Sequence, residues 1–141
     1  YDTAMSQIQA GADFIFPNAN EGNTGAIKAV DETDGTYAFG VFGDYNSASP
    51  TKVVGTMQPD TNAAYVAVFD AIMNGEAKGE IMYLGMAEGI VNFTWNEEVK
   101  ATMPEDVVTA VDDTIVQIKA GEIDIPNEYE IGETGYEMYF A

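Results

Sequence analysis

An α/β fold built on a mainly parallel sheet is predicted by three features of the chain. Between Met5 and Asp44 helical and extended signals alternate. The runs Phe14-Ile15-Phe16 and Tyr37 to Phe42 carry no polar alternation, and the segments that follow them, PNANEGN and GDYNSASP, are dense in turn formers. Apolar runs of strand length read as strands buried on both faces. Two strands joined by a helix almost always lie parallel, and open sheets of this kind hold ligands in the loops beyond the strands' carboxyl ends.

The elements follow in order. Asp2 is placed to cap a first helix whose apolar side carries Met5 and Ile8, and Gly11 is placed to end it. The run 14–16 is the first strand, expected to be buried on both faces. After the loop 17–23, Ala26, Ile27, Ala29 and Val30 recur at helical spacing until Thr33-Asp34-Gly35. The second strand is 37–42 and the third is 52–58 (KVVGTMQ).

Asp60 caps the next helix, in which Tyr65, Val66, Phe69, Ile72 and Met73 form one apolar stripe closed by Gly75. Residues 80–86 (EIMYLGM) are expected to be a fourth strand and 89–95 (GIVNFTW) a fifth. Thr102 and Glu105 have capping-box spacing, and Pro104 suits a first helical turn. Val107, Val108, Val111, Ile115 and Ile118 then repeat as a helix to Gly121. The remaining tail is acidic, with Tyr129, Tyr136, Tyr139 and Phe140 among its carboxylates; its aromatics argue against simple disorder, and a docked extended tail and a frayed one stand as equal readings.

Composition narrows the function. The 141 residues carry a net charge of −19, with five lysines and neither arginine nor histidine. Nucleic-acid binding rests on neutralising phosphates with cations, so nucleic acid is excluded as a partner. The charge is spread along the chain and reads as a solvated acidic surface, with adaptation to high salt as the sharper alternative. The absence of cysteine and histidine removes disulfides, thiolate metal sites, the usual zinc ligand and the usual general base. No cofactor or metal is expected. The pairs Glu97-Glu98, Glu105-Asp106 and Asp112-Asp113 read as solvated charge, since neighbours on a helix do not face one site. The single tryptophan, Trp95, reads as a packing residue. Asn92-Phe93-Thr94 matches a glycosylation sequon but lies within an expected strand. The chain opens almost directly in a helix, without Met or leader, which reads as the later part of a longer protein.

Six segments in order, QIQAGADFIF, GAIKAV, GVFGDYN, VVGTMQ, AAYVAVFDAIMNGEAKGE and MPEDVVTAVDDTIVQIKAGEIDIP, resemble the C-terminal half of the basic membrane protein family. These are substrate-binding lipoproteins of bacterial ABC importers, and members bind purine nucleosides. The resemblance spans roughly residues 5–126. It implies the type I periplasmic binding protein fold, two α/β lobes hinged around a ligand cleft. Residues 1–88 are then the ligand-binding C-terminal lobe, incomplete at its N-terminus. Residues 89–126 cross the hinge to the first lobe, and 127–141 form the acidic aromatic tail. The implied partners are a small-molecule ligand, a membrane ABC permease and the missing N-terminal lobe. The implied location is extracytoplasmic, with a lipid anchor on the full-length protein.

Carried over position by position, the family's AGGTGxG loop becomes Ala19 to Gly25, with Asn20 and Glu21 in place of glycines. Its GVDSDQ pattern becomes Gly40 to Tyr45, where Phe42 stands at the first acidic position and Asp44 keeps the second. A lysine common after the third strand is missing near Pro59. These departures widen the implied ligand to a nucleoside, a nucleobase or a related solute. The candidate ligand-binding residues are Asn18, Asn20, Glu21, Phe42, Asp44 and Gln58. Phe42 offers a stacking face, Asp44 accepts hydrogen bonds from hydroxyls or a cation, and Gln58 follows the third strand towards the cleft. Each has a plainer role: packing for Phe42, loop capping for Asp44, turn formation for Asn18 and Asn20, and a helix-start carboxylate for Glu21.

No catalytic residues are assigned and the chain reads as a non-enzyme. Two alternatives remain: a sensory domain of the same fold, and a carboxylate enzyme using Asp44 and Glu21 with a divalent cation.

Overall fold

The computed structural model describes residues 1–125. The expected tail, 127–141, lies outside the described residues. The elements are α1 (Asp2–Gln9), β1 (Phe14–Ile15), a 3₁₀ turn η1 (Asn20–Gly22), α2 (Asn23–Asp31), β2 (Tyr37–Val41), α3 (Tyr45–Ala48), β3 (Val53–Pro59), α4 (Thr61–Met73), β4 (Val91–Trp95), α5 (Glu97–Lys100) and α6 (Glu105–Lys119). The strands lie in the order β1-β2-β3-β4, with β1, β2 and β3 parallel and β4 antiparallel to β3. The α/β fold expected from the sequence is present. Residues 91–95 pair with β3 in the same sheet as the rest.

Side chains alternate across a strand, and the two sheet faces meet different surroundings. Ile15, Ala38 and Val53 pack with Ala4, Ile27, Ala29 and Val30 from α1 and α2, forming the buried core. On the other face the rings of Phe14 and Tyr37 stack 5.6 Å apart, Phe39 lies 5.9 Å from Phe14 and 5.8 Å from Phe16, and Phe93 meets Trp95 edge-on at 5.1 Å.

That asymmetry corrects the first strand. Ile15 is buried against α1 and α2, but Phe14 and Phe16, on the opposite face, are both exposed: α6 reaches that face at Trp95 of β4, away from β1. A similar correction applies to α4. Asp60 caps it as expected, accepting the Ala63 N–H at 2.9 Å, and Gly75 closes it at φ 73°. Its apolar stripe nonetheless stays open, with Tyr65, Val66, Phe69, Ile72 and Met73 all exposed. Helical periodicity reports that a face is apolar, and the covering surface has to come from elsewhere.

Residues 80–86 form no strand. The backbone there is committed to a local turn: the Gly85 N–H donates to the Glu88 carboxylate at 2.7 Å, while the Ile90 and Val91 N–H groups both donate to the Gly85 carbonyl. Two caps also differ. Tyr1 stands at the N-cap of α1 without a side-chain capping bond, its hydroxyl donating instead to Glu32, and Asp2 sits inside the first turn. Pro104 is the N-cap of α6, without a side-chain bond, and Thr102 instead closes α5, donating its backbone N–H at 2.9 Å and its hydroxyl at 2.8 Å to the Val99 carbonyl. Among the described residues, no helix is long and apolar enough to cross a membrane.

Candidate functional site

The carboxyl ends of β1, β2 and β3 point to one edge of the sheet, because these strands are parallel. Register sets their stagger: Ile15 pairs with Ala38, Val41 pairs with Met57, and Gln58 pairs with Asn92. The loop after β1 therefore runs alongside the end of β2, and Gln58 sits next in line beyond it.

Asn23, the first residue of α2, ties the first two of these ends together. The residue is 1% exposed. Oδ1 accepts the Ala19 N–H at 2.7 Å, and Nδ2 donates to the Val41 carbonyl at 3.1 Å. A buried amide with both ends bonded holds its partners firmly, since breaking either bond strands a polar group away from water.

The residues that follow those two bonded positions have unusual backbones. Asn20 has φ 49° and Phe42 has φ 62°, and these are the only non-glycine residues with positive φ among those described. Asparagine tolerates this region, whereas a bulky residue there is an outlier that costs about 1 to 3 kcal/mol and persists only where the surroundings impose it. The surroundings of Phe42 do so. Its N–H donates to the Met57 carbonyl at 3.1 Å, and the preceding carbonyl is the one held by Asn23. The Phe42 side chain is left 63% exposed at the sheet edge.

The remaining candidates take separate places. Asp44 caps α3 by accepting the Ser47 N–H at 3.1 Å. Hydrogen bonds from the Ser47 side chain and backbone hold its carboxyl below the usual carboxylate range. Glu21 is exposed in η1, and Asn18 borders a hollow of about 380 Å³ floored by Ile15, Pro17 and Ala19. Gln58 lines a different cleft of about 400 Å³, with Asp60, Asn62 and Asn92. The structure thus brings Asn18, Asn20, Glu21 and Phe42 onto two bonded loops, with Asp44 in the turn that follows and Gln58 one strand further on. Among the described residues, no group of three or more acidic side chains gathers as a metal site requires.

Several asparagines escape a reading based on periodicity. Beside Asn23, Asn46 in α3 accepts from the Thr56 hydroxyl at 2.9 Å and donates to the Thr94 and Trp95 carbonyls, lacing α3 to β4 across β3. Asn96 is buried, caps α5 through the Glu98 N–H and donates to the Pro50 and Val53 carbonyls at 2.9 and 2.8 Å. Their one sequence signal is position, in or beside turns where side-chain amides compete well for backbone groups. Asp112 also departs from its expected role as solvated charge, since it bonds both Trp95 and Lys100.

A mostly parallel sheet with ligand-type loops at its carboxyl edge is the architecture of one lobe of a periplasmic binding protein. Solved structures share it. A transcriptional activator of the comK gene from Bacillus halodurans matches with TM-score 0.71 at 17% identity, over 89% of this chain and 43% of that one. An ABC transporter solute-binding protein from Aeropyrum pernix K1 matches with TM-score 0.65 at 17% identity, again over 89% and 43%.

The sequence narrows this class further. Residues 1–129 match the model of the family of PnrA-like ABC transporter substrate-binding proteins, and the chain belongs to that family. It is also 27% identical over 122 residues to a purine-binding protein of Brucella abortus (strain 2308), covering 86% of this chain. The chain spans about a third of that relative's length and less than half of the solved structures.

Proposed function

We propose that this chain supplies the C-terminal lobe of a substrate-binding protein of a bacterial ABC importer, and that the lobe closes on a small planar solute of the nucleobase or nucleoside class. The observation that carries the reading is the pair of loops at the carboxyl ends of β1 and β2, both bonded to Asn23, with the Phe42 side chain exposed. Family membership supports the solute-binding role, and the purine-binding relative supports the ligand class.

In this reading the Phe42 ring stacks on the flat face of the solute, which is sequence-independent attraction of the kind aromatic platforms provide. Asn18, Asn20, Asp44 and Gln58 offer amide and carboxylate groups for its polar edge, and most of the binding surface becomes desolvated when a first lobe closes over it. The first lobe comes from residues beyond this chain, and the stretch from 89 onward leads back to it. The partner is a membrane permease that recognises the closed form, and the location is extracytoplasmic. No covalent chemistry is assigned.

Calorimetry of the full-length protein against adenine, adenosine, guanosine, uridine and ribose tests the reading. Binding of at least one purine in preference to ribose is expected. Heat with ribose alone, or no heat across the panel, rejects the ligand class.

A further inference from the structure

We infer that Asn23 is a positioning residue that couples the two candidate ligand loops, by bonding the backbone of the residue that precedes the left-handed residue of each. The functional half of this inference rests on the solute-binding reading above, whereas the mechanical half stands on the geometry.

One side chain bonds Ala19, directly before Asn20, and Val41, directly before Phe42. Asn20 and Phe42 are the two described non-glycine residues with positive φ. A backbone conformation that a phenylalanine disfavours needs restraint on the peptide leading into it. At Val41–Phe42 that restraint acts at both ends, through Asn23 on the carbonyl and Met57 on the N–H. Asn23 alone reaches the other loop as well.

The chemistry of the side chain suits this job. An amide presents an acceptor and a donor on opposite sides of one planar group, matching an N–H on one loop and a carbonyl on the next. Aspartate supplies no donor for Val41, and serine is too short to span the two. Because Asn23 is buried at the start of α2, the helix that also carries the core residues Ile27 and Val30, it shares the rigidity of the helix. The exposed faces of the two loops are therefore set by one internal part, so that Phe42 is pre-organised to stack and does not have to be ordered by the solute.

The test compares the full-length protein with Asn23→Ala, Phe42→Ala and the double variant, using adenine as the probe. Each single change is expected to weaken adenine binding about tenfold or more. The double variant should lose less than the two single losses combined, because part of the Asn23 effect acts through Phe42. Independent, additive losses, or unchanged affinity in Asn23→Ala, overturn the inference.

Hydrogen exchange without ligand separates this outcome from failure of the solute-binding reading. In Asn23→Ala the Ala19 and Phe42 amides should exchange faster together. Acceleration at Ala19 with Phe42 unchanged overturns the coupling, whether or not adenine binds. Should Asn23→Ala fail to fold, the unmodified protein decides the matter by NMR. The Asn23 side-chain amide signals should move in step with those of Ala19 and Phe42 on adenine addition, or on warming if adenine is not bound, and independent movement contradicts the coupling.

Discussion

The indole N–H of Trp95 donates to Asp112 at 2.7 Å, joining the end of β4 to the middle of α6. Lys100 completes the arrangement, with its ammonium 3.1 Å from the other Asp112 oxygen and 5.3 Å from the centre of the indole ring. Apart from Asp112, no side chain of α6 makes a hydrogen bond or ion pair to another element among the described residues.

The first prediction concerns pH. The Trp95 hydrogen bond, and then Lys100, hold the Asp112 carboxyl below its ordinary range. A carboxyl depressed in the folded state stabilises the fold above its unfolded pKa, and that contribution is lost as pH falls through the folded value. Emission from Trp95, the single tryptophan, should stay constant near neutral pH and move to longer wavelength only in acid below the usual carboxylate range. Asp112→Asn should shorten the pH range over which emission is constant or abolish the acid transition. An acid transition identical in the variant would show that another group controls α6.

A second prediction concerns Gly55 in β3. A Cβ there would collide with the Phe93 ring and lie 2.8 Å from the Thr94 carbonyl, so the β3–β4 pairing depends on its absence. Gly55→Ala should lower stability by about 1 to 3 kcal/mol, the range for overpacking, as read by urea denaturation. A neutral substitution would mean that β4 pairs less closely than described.

Asn96 carries a third. Asn96 is buried, and its amide caps α5 and serves the Pro50 and Val53 carbonyls. Asn96→Ala should cost about 2 kcal/mol, combining a lost cap with stranded acceptors. Asn96→Asp should recover the cap without recovering the carbonyl bonds. Equal stability of wild type and Asn96→Ala in urea denaturation would contradict this role.

Net charge supplies a fourth. At −19 over 141 residues the folded chain repels itself, and salt screens that repulsion. Thermal midpoints should rise between about 0.05 and 1 M sodium chloride, where the screening length falls from well above 10 Å to about 3 Å. A falling midpoint would place the dominant electrostatic term in attractive pairs, of which only Lys28–Glu32 and Lys100–Asp112 are formed among the described residues.

Local signals in the sequence located most of the sheet and little of its cover. An apolar run marked β2 and the segment KVVGTMQ marked β3, each to within a residue or so, and Asp60 announced the start of α4 because a cap needs only its own next three residues. Residues 80–86 have strand composition, yet the Gly85 carbonyl and N–H are taken by a turn that composition does not report. The exposed stripe of α4 and the exposed Phe14 and Phe16 show the limit from the other side, since an apolar pattern does not identify its partner.

Within the candidate site, Asn18, Asn20 and Phe42 were legible from loop position and from a family pattern. Asn23 was not, because its meaning lies in Val41, 18 residues away, and in a buried geometry that no spacing encodes.

The central claim is that the loops after β1 and β2 form one wall of a solute cleft. Hydrogen exchange of the full-length protein with and without a purine that binds it tests this most directly. The claim predicts that added protection in this chain concentrates at residues 17–23 and 42–48, with a smaller effect at 58–62. Protection confined to other segments, with those loops unchanged in the saturated protein, would contradict it.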